Sequence, residues 1–564
     1  MFKWFFLLLY FFSLHLMAQE EKPWQLKINN LPAKNAIPYQ NRFQDSLAVH
    51  QELTKVLSQL RFKGYFYADI ENAEWADKLL EINLAIGEPL KVLALKNGNV
   101  EAQVLSDIKF REKLYVNRNF DLAEINQLKE QLLIWYDNNG FPFAQVWLDD
   151  FSYQDKRLSA AIFAHTGEKI LIDTIRITGS GKVNNSFFHS YLGIKPKQPY
   201  QEQRIQAVDQ RIKDLPFLTQ PRKSEVEFVG NKARINLFLD KENANQFDGL
   251  IGFLPNQTTG KLQLTGDFRL RLLNALKQGE TLAFNYKGLP QQTQELDLNF
   301  SYPYLFRSQL GAKLDFSLFK QDTSFLNLNT KIALVYHYSA NRSLGFFIDN
   351  QSSSLIAETN AGLLGNLNTQ FYGIDGTLQR LDNAVIPLKG YRFLLSAGAG
   401  ARKIREVTQN EESQQNKISQ FKFSADLNYY LQLSRTSVIY LRNISSIITG
   451  SGLYENEVFR IGGLKTLRGF DEQQFRAQSF TVQTVEYRYF VEERSYLNIF
   501  YNQAAIKQIL NKETQLNYPL GFGAGFTFET KIGMLSLNYA LGKQKNIPLD
   551  LQKGKVHFGV VSYF

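Results

Sequence analysis

From about residue 246 onward the chain abandons any helical period and alternates, residue by residue, between apolar and polar side chains. Leu262, Leu264, Gly266, Phe268, Leu270 and Leu272 alternate with Lys261, Gln263, Thr265, Asp267, Arg269 and Arg271. Leu296, Leu298, Phe300 and Tyr302 alternate with Glu295, Asp297, Asn299 and Ser301. A third run, Phe421 to Leu433, does the same. A period of two puts each set on one face of an extended strand. Strands of soluble proteins are usually about five or six residues long, and these runs are longer, with one face charged. A membrane barrel accounts for both features, because its apolar face meets lipid and its polar face lines a wet lumen. Sixteen candidate strands start near Phe247, Leu262, Thr281, Leu296, Leu310, Phe325, Ser343, Gln370, Tyr391, Ile418, Val438, Ser479, Leu497, Tyr518, Ile532 and Val556. That leaves about 20 residues for each strand and its connection, enough for a tilted crossing of ~10 residues.

The connections support the same reading. Ser434-Arg435-Thr436-Ser437 and Glu492-Glu493-Arg494 read as tight turns, whereas 402–416, 448–474 and 543–554 are long loops. Short turns on one side and long loops on the other is the outer-membrane pattern. The expected barrel spans 246–564 and ends on an aromatic strand: Val556, Phe558, Val560 and Phe564 share one face. No Trp falls in this region, so Phe and Tyr, which number 45 and 27 in the chain, must form its interfacial girdles. Residues 1–18 read as a secretory signal peptide: Lys3, an apolar run from Trp4 to Phe12, then Ala18 before Gln19.

Residues 24–241 follow a different grammar. Asp45 precedes a helical spacing of Leu47, Leu53, Val56, Leu57 and Leu60, and Asp121 with Glu124 opens a second as a capping-box start, followed by Leu122, Ile125, Leu128, Leu132 and Tyr136. Each helix runs into a glycine–aromatic signature, Gly64-Tyr65-Phe66-Tyr67-Ala68 and Gly140-Phe141-Pro142-Phe143-Ala144. Each copy ends at a Gly-Glu pair, Gly87-Glu88 and Gly167-Glu168. This is an internal α+β repeat over 24–90 and 91–168, with a weaker third copy over 169–241. In that copy a strand at Ile170–Thr178, helices near Ser186–Leu192 and Gln201–Lys213, and strands near Glu225–Val229 and Ala233–Leu239 are expected.

Chemistry is sparse. Zero cysteine excludes disulfide scaffolds, thiolate metal sites and thiol nucleophiles. The six histidines are scattered without metal-binding spacing, and neither a Gly-x-Ser-x-Gly nor a His-Glu-x-x-His pattern occurs. We therefore expect no catalytic residues, metal or cofactor, and no enzyme activity. The net charge of +10 suits acidic partners or anionic headgroups, and no basic tract suggests nucleic acid.

One loop carries a recognisable motif: Phe459-Arg460-Ile461-Gly462-Gly463-Leu464-Lys465-Thr466-Leu467-Arg468-Gly469-Phe470. The double glycine, a spacer and an Arg-Gly-aromatic turn resemble the signature loop of the BamA/TamA outer-membrane assembly and translocation family. That family also includes two-partner-secretion transporters. The resemblance covers nearly all of the chain after residue 18. It implies that the repeats are periplasmic POTRA modules, three in number as in the TamA layout, before a sixteen-stranded transmembrane barrel. It further implies that loop 448–474 folds into the lumen, with Gly462, Gly463, Arg468, Gly469 and Phe470 as its motif. Arg468 should meet an inward carboxylate, here Glu486, and Asn502 stands where the family often has Asp. The resemblance also implies a lateral seam between first and last strands. We expect Gly249, Gly252 and Gly559 to weaken it, and Phe564 to act as a terminal assembly signal.

The expected partners are unfolded outer-membrane or secreted client proteins, outer-membrane lipid, and a periplasmic or inner-membrane accessory protein docking on the repeats. Clients would add to repeat edges as extra strands. The expected location is the cell outer membrane of a Gram-negative bacterium. Three functional readings stand at this point: assembly through a laterally opening barrel, dedicated two-partner secretion, and passive diffusion.

Overall fold

The computed structural model describes residues 23–32, 37–155, 157–255, 262–288, 293–339, 341–356, 363–383, 385–404, 417–510, 513–530, 533–544, 552 and 554–563. The expected signal peptide, Phe564 and most of the loops at 402–416 and 543–554 lie outside these residues. The chain forms two compact units, Met1–Leu171 with Pro199–Glu202, and Ile172–Gln198 with Gln203–Phe564.

The first unit holds two copies of one module. In the first copy β1 (Trp24–Asn29), β2 (Arg42–Phe43), α1 (Ser46–Phe62), β3 (Asp69–Ala76) and β4 (Leu79–Ala85) give a sheet ordered β2-β1-β4-β3. The second has β5 (Lys91–Asn97), α2 (Ala102–Asp107), β6 (Arg118–Asn119), α3 (Leu122–Asn138), β7 (Gln145–Gln154) and β8 (Arg157–His165), ordered β6-β5-β8-β7. The central pair is parallel in both.

Helix caps set the boundaries. The Asp45 carboxylate accepts from the Ala48 amide at 2.7 Å, and Val49, Leu53, Val56 and Leu60 are buried against the sheet. Leu47 is exposed, contrary to expectation. It lies two residues before Val49, about 200° round the helix, and so faces away from the core. Asp121 caps α3 through the Ala123 and Glu124 amides. Glu124 does not complete a capping box; Arg118 takes its carboxylate at 3.0 Å.

The repeated glycines have a shared task. Gly64 and Gly140 adopt φ of +92° and +98°, which favours glycine, and their carbonyls accept from the Leu90 and Ile170 amides at 2.9 and 2.7 Å. Each thus ends a helix and ties its module to the chain entering the next.

The third repeat has β9 (Leu171–Thr178), α4 (Asn185–Leu192), α5 (Glu202–Gln206), α6 (Val208–Lys213), β10 (Leu218–Val229) and β11 (Lys232–Lys241), with sheet order β10-β11-β9. The short strand of the other copies is reduced to an isolated bridge between Leu171 and Pro199. The helix expected over 201–213 divides at Ala207, whose φ of −80° and ψ of −10° remain nearly helical. The strand expected from Glu225 begins earlier, at Leu218.

Within the second unit this repeat is joined to the barrel's turns. The Phe187 ring lies 5.7 Å from that of Tyr304, the Asn184 amide donates to the Lys277 carbonyl at 2.8 Å, and Asn341 donates to Asp214 at 3.3 Å. Gly279, at φ +72°, leaves no room for a Cβ, which would fall 2.0 Å from Phe187.

The barrel is a closed antiparallel ring of sixteen strands, from Gln246–Pro255 to Lys555–Tyr563. Two short strands stand outside the ring, because their longer neighbours pair past them. Phe459–Ile461 lies against Phe475–Glu492, and Glu513–Asn517 folds back on Ser495–Leu510. Alternation sets the facing: Val485, Tyr487 and Tyr489 are exposed outward, while Thr484 and Glu486 are buried inward.

Among the described residues the ring closes through two residue pairs, Gln246–Tyr563 and Phe247–Ser562, whereas Gly390–Ile404 and Lys417–Gln432 share fourteen. None of the three seam glycines lies in these pairs: Gly249 and Gly252 oppose Phe268 and Thr265, and Gly559 opposes Ser536. The seam is narrow because its strands share few pairs, and the three glycines lie beyond those pairs.

Candidate functional site in the barrel lumen

Loop 448–474 enters the barrel and turns on its glycines. Gly462 and Gly463 take φ of +131° and +88°, and a Cβ on either would fall 2.3 Å from the Asp471 carbonyl oxygen or 2.2 Å from the Glu472 carboxyl carbon. The Gly462 amide donates to Thr466 Oγ1 at 2.8 Å and the Gly463 amide to the Leu467 carbonyl at 3.1 Å, closing a tight turn. Leu467 and Phe470 are buried with Ile461, Phe475, Val482 and Ile506.

The turn delivers Arg468 to the inner wall. Its Nη1 donates to Glu486 Oε2 at 2.7 Å and its Nε to Asn502 Oδ1 at 3.1 Å. The guanidinium carbon lies 3.5 Å over the Phe500 ring. Asn502 thus supplies a neutral acceptor where a second carboxylate would sit, and its own amide donates to Thr484. The other Glu486 oxygen accepts from Arg488 Nε at 2.7 Å, and Arg488 lies 4.5 Å over Tyr440. One carboxylate therefore bridges two guanidinium groups, in charge-assisted bonds away from bulk water. Arg488 was legible as an inward residue, two positions beyond Glu486, but its part in this bridge was not anticipated.

Glycines in the wall form the other side of the seat. A Cβ on Gly521 would fall 1.9 Å from the Arg468 carbonyl oxygen, and one on Gly542 would fall 2.4 Å from that of Gly469. The Gly469 position, at φ +92°, is as tight: its Cβ would meet Leu541 at 2.7 Å. Gly521 opens a glycine-rich run, Gly521-Phe522-Gly523-Ala524-Gly525. Its first glycine lets the loop tip lie on bare backbone.

The outer limb of the loop has separate anchors. Arg402, wholly buried, donates to the Gly452 and Ser451 carbonyls at 3.1 and 2.7 Å and pairs with Glu457. Asn456 exchanges hydrogen bonds with Gly365, at 2.7 and 3.1 Å, and its carbonyl accepts from Asn327 at 2.6 Å. Arg476 pairs with Glu455. The loop is held at both ends and fills part of the lumen.

Comparison with known proteins agrees with this geometry. A family model described as the Omp85 superfamily domain matches residues 274–564, just over half of the chain. Two solved structures, CdiB from Escherichia coli and CdiB from Acinetobacter baumannii, each align over 92% of this chain and 98% of their own, with a TM-score of 0.55 and identities of 12% and 14%. BamA from Haemophilus ducreyi lacking POTRA domains 1–3 aligns over 84% of this chain and all of its own, at 12% identity and a TM-score of 0.44. No curated protein sequence is detectably similar. A sixteen-stranded ring with a loop folded into its lumen, preceded by POTRA-like α+β modules and matched by the family model, makes this chain an outer-membrane barrel that belongs to the Omp85 superfamily.

Proposed function

We propose that this protein moves other polypeptides into or across the outer membrane, inserting clients through a seam that opens sideways, without catalysis or cofactor. The observation that carries this reading is the contrast between the two-pair seam and the extensive pairing elsewhere in the ring. Backbone hydrogen bonds in lipid have no water to replace them, so a ring opens where the fewest must be given up. A client strand pairing with the freed edges would replace them, as in strand addition generally. The loop in the lumen supports the same reading, since passage of a chain through it requires the anchored loop to leave. The repeats carry free sheet edges at β3 and β7, where extended clients could pair before reaching the barrel.

Depletion of the protein in its native cell, followed by quantitative proteomics of the outer membrane and the medium, tests this. General assembly predicts broad loss of outer-membrane barrels. Loss of a single secreted protein, with barrels unchanged, would establish dedicated secretion instead, and conductance with no client affected would establish a passive channel.

A further inference from the structure

A cavity of about 230 Å³ lies in the lumen between loop 448–474 and the wall. Amide and hydroxyl side chains, including Asn329, Gln351 and Thr369, form the largest group in its lining, with three carboxylates and two cations. Each carboxylate already accepts from another group. Glu295 accepts from Gln473 at 2.9 Å, Asp297 from Asn285 at 3.2 Å, and Glu457 from Gln420 as well as Arg402. Lys422 lies within ion-pair distance of Asp349, at 3.9 Å.

Arg460 is the exception. It sits on the short Phe459–Ile461 strand, with its guanidinium carbon 3.7 Å over the Phe319 ring and 5.3 Å from that of Phe325. Its cross-strand neighbour is Arg476, which is engaged by Glu455 and Gln321. Its Nε and Nη2 are buried and have no hydrogen-bond partner among the described residues. Those two nitrogens form the side-on edge of the guanidinium, the edge that matches both oxygens of a carboxylate. Two aromatic rings flank the plane, and the edge is left without a hydrogen-bond partner among the described residues. Arg468, by contrast, spends its donors on Glu486 and Asn502.

We propose that Arg460 is the anchor of an anion site in the lumen, taking one carboxylate of a polypeptide side-on through Nε and Nη2. The three resident carboxylates repel a phosphate, which carries nearly two charges, more than a singly charged carboxylate, and this favours the latter. The carboxylate comes from an Asp or Glu side chain or from a chain terminus. This identification of the ligand rests on the reading that polypeptides are the clients, and its test uses no client.

The test is a saturation-transfer NMR titration of the full-length protein in detergent micelles. The probes are acetyl-Gly-Gly-Glu-Gly-Gly-amide, its Gln counterpart, acetyl-pentaglycine with a free carboxylate, and inorganic phosphate. Saturable binding of the Glu peptide, the free-carboxylate peptide or both, with none of the Gln peptide, is expected; the better binder identifies the carboxylate source. Arg460→Gln should weaken binding about tenfold or more, as loss of a charged hydrogen-bond pair does. Arg460→Lys should fall between, because a point charge lacks the fork. Glu295→Gln, which removes one resident negative charge from the lining, should tighten it. Equal binding of the Glu and Gln peptides, or equal binding by native protein and Arg460→Gln, would overturn the proposal. So would no carboxylate binding at all, with lumen water filling the edge, or tighter binding of phosphate. If Arg460→Gln does not fold, the peptide comparison on the native chain still decides.

Discussion

Arg468 and Arg488 share one carboxylate, so the two ends of this bridge are unequal. Removing Arg468 leaves Glu486 still paired with Arg488 and no orphaned charge. We predict that Arg468→Ala folds as a barrel but loses a charged hydrogen bond worth about 1.5–3 kcal/mol. Residues 448–474 should become more protease-sensitive and client assembly should fall. Unchanged protease sensitivity together with unchanged assembly would dismiss the clamp. Gly521 and Gly559 make a second test at this scale, since both are strand glycines and only one is crowded. A Cβ on Gly521 meets the Arg468 carbonyl, while one on Gly559 meets nothing within 4 Å. Gly521→Ala should dislodge the loop tip and lower the temperature at which the folded band is lost on unboiled gels, and Gly559→Ala should leave it unchanged. Equal effects would remove the seat described for the loop. The Glu486 pairing was readable because the family resemblance implies an inward carboxylate partner, and a period of two then picks out which side chains face inward. The glycine seat was not, because in sequence a strand glycine looks the same whether it meets open space or another chain segment.

At the scale of elements, the junction of the first two repeats combines a backbone hydrogen bond, from the Leu90 amide to the Gly64 carbonyl, with a salt bridge. Lys63, at the end of α1, lies 2.6 Å from the Asp121 carboxylate that caps α3. Burial pushes the Asp121 carboxyl up, but the Lys63 bond and the Ala123 and Glu124 amides outweigh it and hold it below the ordinary Asp value. A carboxyl depressed in the folded state contributes stability above its unfolded pKa of about 3.9 and loses it as pH falls through the folded value. The protection factor of α3's first turn, which takes out the intrinsic pH dependence of amide exchange, should therefore fall below about pH 4, and Asp121→Asn should remove that fall. A protection factor that stays constant with pH in the native chain would contradict the assignment. The modules themselves were legible from helical spacing and the glycine–aromatic signature. The break at Ala207 and the exposed Leu47 were not, since each depends on which face the rest of the module covers. The outer anchors of the loop were wholly hidden: Arg402 and Glu457 are 55 positions apart, and Asn327 and Asn456 are 129 apart. No local pattern marks a pair that only the closed ring brings together.

For the molecule as a whole, the central claim is that the ring opens at its narrow seam while the loop stays anchored in the lumen. The cysteine-free chain allows a clean test, because any disulfide must be the engineered one. Phe247 and Ser562 are register partners across the seam, and a disulfide requires Cα atoms within about 7 Å. The measurement is client assembly by Phe247→Cys/Ser562→Cys protein, oxidised and then reduced, with crosslinking followed on gels. Oxidation should block assembly and reduction should restore it. Full assembly by a completely crosslinked seam would contradict lateral opening and make passage through the lumen the better account.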